Sequence, residues 1–184
     1  MPMASKKSVK KRENVRVKSP YTQGLSPQKR FIAEACLVVL LAAGIYQMIK
    51  PLRAQWHYKR GQDIRNAVVS KILDPKKHPE VMIRAIYELQ RGLRLAPYNG
   101  EMWSCLGDLF NFTDQNQASM NSYRAALRYF RSPSIYINLG VIYVKLNMYD
   151  EAEEALNRVL AYRPGQKDAL QTLKVVQALR KGGH

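Results

Sequence analysis

Two stretches of this chain carry the same stripe of large and small residues at helical spacing. Residues 100–131 and 133–164 superpose at an offset of 33: Trp103 falls on Tyr136, Leu106 on Leu139, Gly107 on Gly140 and Phe110 on Tyr143. Further along, Tyr123 falls on Leu156 and Ala126 on Val159, while Ala152 supplies a second small position before the closing Pro164. A helix face with one small position among large ones admits a second helix at close range, and the aromatics and leucines fill the space around the crossing. The pattern therefore predicts two antiparallel helix pairs, 100–112 with 117–130 and 133–146 with 150–162. Asn99 is placed to cap the first helix, and Ser132 before Pro133 reads as a capping hydroxyl followed by proline at the first helical position. Asp150, Glu151, Glu153 and Glu154 crowd a helix start, where the dipole favours acids and water solvates them.

Flanking segments extend the pattern less cleanly. Residues 80–95 form a helix with Ala85, Leu89 and Gly92 on one face, ended by Pro97. Its expected partner, within 52–73, is degenerate, with Leu73 where a small residue belongs and Pro75 and Pro79 in the turn. Residues 167–181 are amphipathic through Leu170, Leu173, Val176 and Leu179 and suit a terminal capping helix.

A different pattern precedes these. Residues 31–49 read FIAEACLVVLLAAGIYQMI, with Glu34 as the one charge and Lys29, Arg30 and Lys50 at the ends. Nineteen helical residues reach roughly 28 Å, close to the hydrocarbon thickness of about 30 Å, and Glu34, one turn in, can reach the interface. A transmembrane helix over 31–50 is the expectation, ended or kinked at Pro51, followed by a helical neck and loop over 51–79. A buried core helix and a cleaved leader are the competing readings; the 30-residue polar stretch ahead exceeds an ordinary leader.

Charge sharpens the division. The 184-residue chain carries 30 Lys and Arg against 14 Asp and Glu, a net charge of +16. Nine of the basic residues and one acid, Glu13, lie in residues 1–30, a stretch too poor in apolar residues to offset its ordering entropy and expected to be a disordered tail. The larger cationic total before the span places the tail in the cytoplasm and the rest outside. Such topology matches a bacterial inner membrane with the repeats in the periplasm; an organelle membrane is the alternative. Cys36 and Cys105 have no His or Cys at metal spacing, so neither a disulfide framework nor a metal site is expected.

The W-x-x-L-G-x-x-F and Y-x-x-L-G-x-x-Y segments at this period resemble the tetratricopeptide repeat, over residues 80–181 and most strongly over 100–164. The resemblance implies an all-α chain: a single span, then a short α-solenoid of about three helix pairs and a cap. It also implies a protein-binding groove lined by the first helices. The groove stripe is Glu101, Ser104, Asp108, Asn111 and Phe112, then Ser134, Ile137, Asn138, Val141, Val144 and Lys145. One subset of the family clamps C-terminal carboxylates with Lys, Arg and Asn; Asn138 fits that pattern, whereas Ser104, Asp108, Asp168 and Thr172 do not.

Catalytic sets are missing. His57, His78 and His184 are scattered, there is no glycine-rich phosphate loop, H-E-x-x-H or C-x-x-C, and no cofactor is expected. The expected role is a membrane-anchored scaffold that positions a protein partner, as a subunit or assembly factor of a larger complex. Two other readings compete. In one, the basic tail tethers nucleic acid or an acidic surface, although Tyr21 is its one aromatic and base stacking is poorly served. In the other, the chain is a cytosol-facing receptor on an organelle.

Overall fold

The computed structural model describes residues 26–182. All the regular structure among them is α-helical: α1 (Pro27–Val69), α2 (Pro79–Leu95), α3 (Gly100–Phe112), α4 (Asn116–Tyr129), α5 (Pro133–Lys145), α6 (Tyr149–Tyr162) and α7 (Lys167–Gly182). The expected tail falls largely outside the described residues; its last part does not, because Pro27 to Arg30 already belong to α1. The described residues divide into two compact units, whose boundary falls between Tyr46 and Gln47.

The described part of the first unit is apolar helix. The most apolar 18-residue window of α1 has a mean hydropathy of 2.0, and none of it is buried among the described residues. Length and composition suffice to cross a membrane.

In the second unit α1 continues through Pro51, which the sequence reading expected to kink or end it. Proline removes one hydrogen bond, to the Gln47 carbonyl, and a long helix with packing beyond the gap tolerates that loss. Beyond it Ala54, His57, Tyr58 and Gly61 are buried at i, i+3, i+4 and i+7, so this stretch has a core-facing stripe of its own. Gly61 is the small position that the sequence reading placed at Leu73. A Cβ there would lie 2.5 Å from Leu89 Cγ, as one on Gly107 would lie 2.7 Å from Tyr123 Cε1 and one on Gly140 3.1 Å from Leu156. The loop after Val69 is longer than its counterparts: Gly61 precedes Leu89 by 28 positions, whereas Gly107 precedes Tyr123 by 16.

Three helix pairs result, the end of α1 with α2, α3 with α4 and α5 with α6, and α7 packs on α5 and α6. Asp114 and Asn147, at equivalent positions in the turns of the second and third pairs, both take positive φ (57° and 59°), which their short polar side chains tolerate. Asn99 caps α3 by accepting from Met102 N at 2.9 Å, but Ser132 makes no side-chain cap. The acids at the start of α6 do more than meet solvent: Arg180 of α7 pairs with Asp150 and Glu153, both at 3.0 Å, and Arg158 with Glu154 at 2.6 Å. On α7 the buried residues are Ala169 and Val176, with Leu173 partly covered; Leu170 and Leu179 are exposed, because the contact runs along i, i+4, i+7 from Ala169.

The core has two clusters. One gathers Tyr58, Met82, Ala85, Leu89, Leu93, Met102, Cys105, Leu106 and Leu109; the other runs from Met120 and Tyr123 through Leu139, Ile142 and Leu156 to Val176. Trp103 packs against both.

Candidate functional site

The inner face of the first helices is held by side chains that bridge successive pairs. Asp108 on α3 is the hub. Its Oδ1 accepts from Tyr123 Oη at 2.5 Å and from Asn138 Nδ2 at 3.2 Å, and its Oδ2 accepts from Arg65 at 3.2 Å. One carboxylate thus ties the first pair, through Arg65, to the third, through Asn138. Burial pushes the Asp108 carboxyl above its ordinary range, against the hydrogen bond from Tyr123 and the nearby Arg65 charge. Burial, then Asp108 itself, raises the Tyr123 hydroxyl, so that phenol is a hydrogen-bond donor at any working pH. A second tie crosses the same two helices, from Lys145 Nζ to Asn111 Oδ1 at 2.7 Å, with Asp114 3.8 Å from the same ammonium.

Four members of the stripe drawn from the sequence, Asp108, Asn111, Asn138 and Lys145, are therefore bonded to one another or to Arg65. Phe112 is half-buried against the first cluster, and Ile137 and Val144 against the second. Glu101, Ser134 and Lys145 are exposed, and Ser104 and Val141 are partly exposed. The packing set lies within or against the cores: Leu106, Gly107, Tyr123, Ala126, Leu139, Gly140, Tyr143, Ala152 and Leu156 are buried, Trp103, Phe110 and Tyr136 partly so, and Pro164 is exposed. Arg65 was missed by the sequence reading, since its role needs the stacking of α1 on α3.

A second polar group, also unforeseen, occupies the first pair. His57 Nδ1 lies 2.6 Å from Glu88 Oε2, and Arg60 donates to Glu88 Oε1 at 3.3 Å. His57 and Glu88 are buried. The guanidinium of Arg60 also lies 4.4 Å above the ring of Trp56. The signal was present as H-x-x-R-G-x-x-I over 57–64, the same frame as W-x-x-L-G-x-x-F with two polar substitutions.

Cys105 is buried and its thiol is pushed up to about 12 by that burial, so it is not a thiolate at neutral pH. Among the described residues no group of three His, Cys, Asp or Glu could hold a metal. What the surface offers is a helical face for binding.

Comparison with known proteins agrees with this architecture. Residues 133–166 match the tetratricopeptide repeat family. The first tetratricopeptide domain of human RPAP3 superposes with a TM-score of 0.58 at 20% identity, covering 71% of this chain and 95% of that one. The second RPAP3 domain, solved with an HSP70 peptide, superposes with a TM-score of 0.56 at 16% identity over 67% and 98%. In sequence, the general transcriptional corepressor trfA of Dictyostelium discoideum is 31% identical over 80 residues, 42% of this chain and only 6% of that protein. The third helix pair matches the tetratricopeptide repeat, and the fold of the whole array is that of an all-α tetratricopeptide-like solenoid.

Proposed function

We propose that this chain is a single-pass membrane scaffold that holds a protein partner beside the bilayer, within a larger membrane assembly. The observation that carries the reading is the apolar segment of α1, which nothing among the described residues covers. Lipid is the solvent that fits such a helix. The binding function rests on the repeats, which in the second RPAP3 domain hold a peptide. The groove comprises Glu101, Ser104, Phe112, Ser134, Ile137, Val141 and Val144, with Asp108, Asn111, Asn138 and Lys145 as its internal ties. Asn138 spends its amide on Asp108, and the cations of this face, Arg65 and Lys145, are bonded to Asp108 and Asn111, so the partner is not recognised by a free C-terminal carboxylate.

The full chain in native membranes should resist alkaline carbonate, and protease added to intact cells or organelles reports which side holds the repeats. Ser104→Arg with Val141→Arg should abolish cross-linking to the partner while leaving helicity and carbonate resistance intact. Unchanged cross-linking would remove the groove, and extraction by carbonate would remove the anchor.

A further inference from the structure

We propose that one edge of the repeat unit, formed by the loops 96–99, 130–132 and 163–166, docks on an anionic lipid surface. The proposal rests on the membrane reading above and adds a second contact to it. Each of these loops joins the end of a second helix to the start of the next first helix. Because the helices of a pair are antiparallel, the loops lie at the end of the unit where the first packed stretch begins, at Ala54. Along the chain, Ala54 follows Ile49, the end of the apolar segment, by five positions.

The chemistry of this edge is that of a bilayer interface. Tyr98 is 75% exposed and Tyr162 89%, with Tyr129 and Phe130 also exposed. The rings of Tyr98 and Tyr129 meet edge to face at 5.5 Å, and Arg131, Tyr162 and Arg163 line one cleft with Tyr136 and Arg158. Arg94, Arg128, Arg131, Arg163 and Lys167 supply exposed cations against two exposed acids, Glu101 and Asp168. Neither Arg131 nor Arg163 has an ion-pair partner among the described residues. The opposite edge, at the turns within pairs, differs: it carries Asp74, Glu80, Asp114, Asp150 and Glu151 beside its Lys and Arg. Tyrosines with unpaired arginines fit the headgroup layer, where aromatic rings anchor and cations meet anionic lipid.

The test uses the full chain in nanodiscs of phosphatidylcholine alone or mixed with phosphatidylglycerol, read by amide hydrogen exchange. Loops 96–99, 130–132 and 163–166 should exchange about fivefold more slowly in the anionic discs, the change expected from even one cation at such a surface. Turns 113–115 and 146–148 should not respond. The slowing should vanish in Arg131→Glu/Arg163→Glu and in high salt, and persist in Lys76→Glu/Lys77→Glu. Helicity of each variant checks the fold. Equal exchange in both lipids, from a chain that resists carbonate, overturns the docking edge alone; protection that persists in Arg131→Glu/Arg163→Glu overturns it too. A chain stripped by carbonate overturns the anchor and the edge together.

Discussion

The first and third helix pairs share a backbone plan and solve its central contact with opposite chemistry. In the third pair, Tyr136, Leu139 and Ala155 surround the crossing of Gly140 with Leu156. In the first, the same positions around Gly61 and Leu89 hold His57, Arg60 and Glu88, joined by bonds of 2.6 and 3.3 Å. An apolar crossing gains from area removed from water and tolerates small errors of position. A buried ionisable group must keep every partner, because each loss strands a polar atom. The first pair should therefore be the part of the repeat unit most sensitive to single changes.

The sharpest way to break the comparison is Glu88→Ala, which leaves His57 buried without its acceptor. The expected cost is about 3 kcal/mol or more, read as a lower urea midpoint of helicity in detergent. His57→Tyr/Arg60→Leu/Glu88→Ala, which installs the residues of the third pair, should recover that loss and equal or exceed the parent. A triple variant weaker than Glu88→Ala would show that the polar cluster is an asset in itself.

These two pairs also explain what was legible in the sequence. The second and third pairs were readable because the same apolar residues recur at an offset of 33, and Gly107 and Gly140 mark the crossing. The first pair hid its crossing in two ways. His57 and Arg60 stand where the apolar signals should be, and the long loop after Val69 displaced Gly61 from the period, so that Leu73 took its place in the count. The ties of the inner face were illegible for another reason. Asp108 has no sequence neighbour that reveals Arg65 or Asn138, which lie 43 and 30 positions away and meet it only when three helices are stacked.

The glycines rank next. Gly100→Ala would place its Cβ 2.4 Å from Phe130 Cβ, 2.9 Å from Phe130 N and 3.0 Å from the Ala126 carbonyl, where backbone must move. Gly107→Ala would meet the ring of Tyr123, which the bond to Asp108 holds in place. Each should cost roughly 1 to 3 kcal/mol, with Gly100→Ala the larger. A Gly107→Ala variant as stable as the parent would mean that the second crossing is looser than its contacts imply.

The effect of pH should be smaller and opposite to that of a surface acid. Burial raises the Asp108 carboxyl in the folded chain above its ordinary 3.8. The folded state therefore binds this proton more tightly than the unfolded state does. Its contribution to stability is complete below the unfolded value and is lost as pH rises through the folded one. Asp108→Asn should flatten that part of the urea-midpoint profile on the acid side of neutrality. An unchanged slope would assign the acid limb to other carboxyls.

Gly140→Ala should produce the smallest effect, and it separates the third crossing from the second. The added Cβ would lie 3.1 Å from the Cδ2 and Cγ atoms of Leu156, tighter than ordinary contact but against a flexible side chain with no polar bond to hold it. A shift of a few tenths of an ångström would relieve it. In the same helix, alanine is favoured over glycine by up to about 1 kcal/mol. The two terms are of similar size and opposite sign, so the urea midpoint of Gly140→Ala should lie close to that of the parent. Gly140→Leu has no such escape, since the extra methyl groups need space that Leu156 already fills, and it should lose roughly 1 to 3 kcal/mol. Equal losses for Gly140→Ala and Gly107→Ala would show that the rigidity of the partner side chain, aromatic and bonded in one crossing and aliphatic in the other, does not decide what a crossing tolerates.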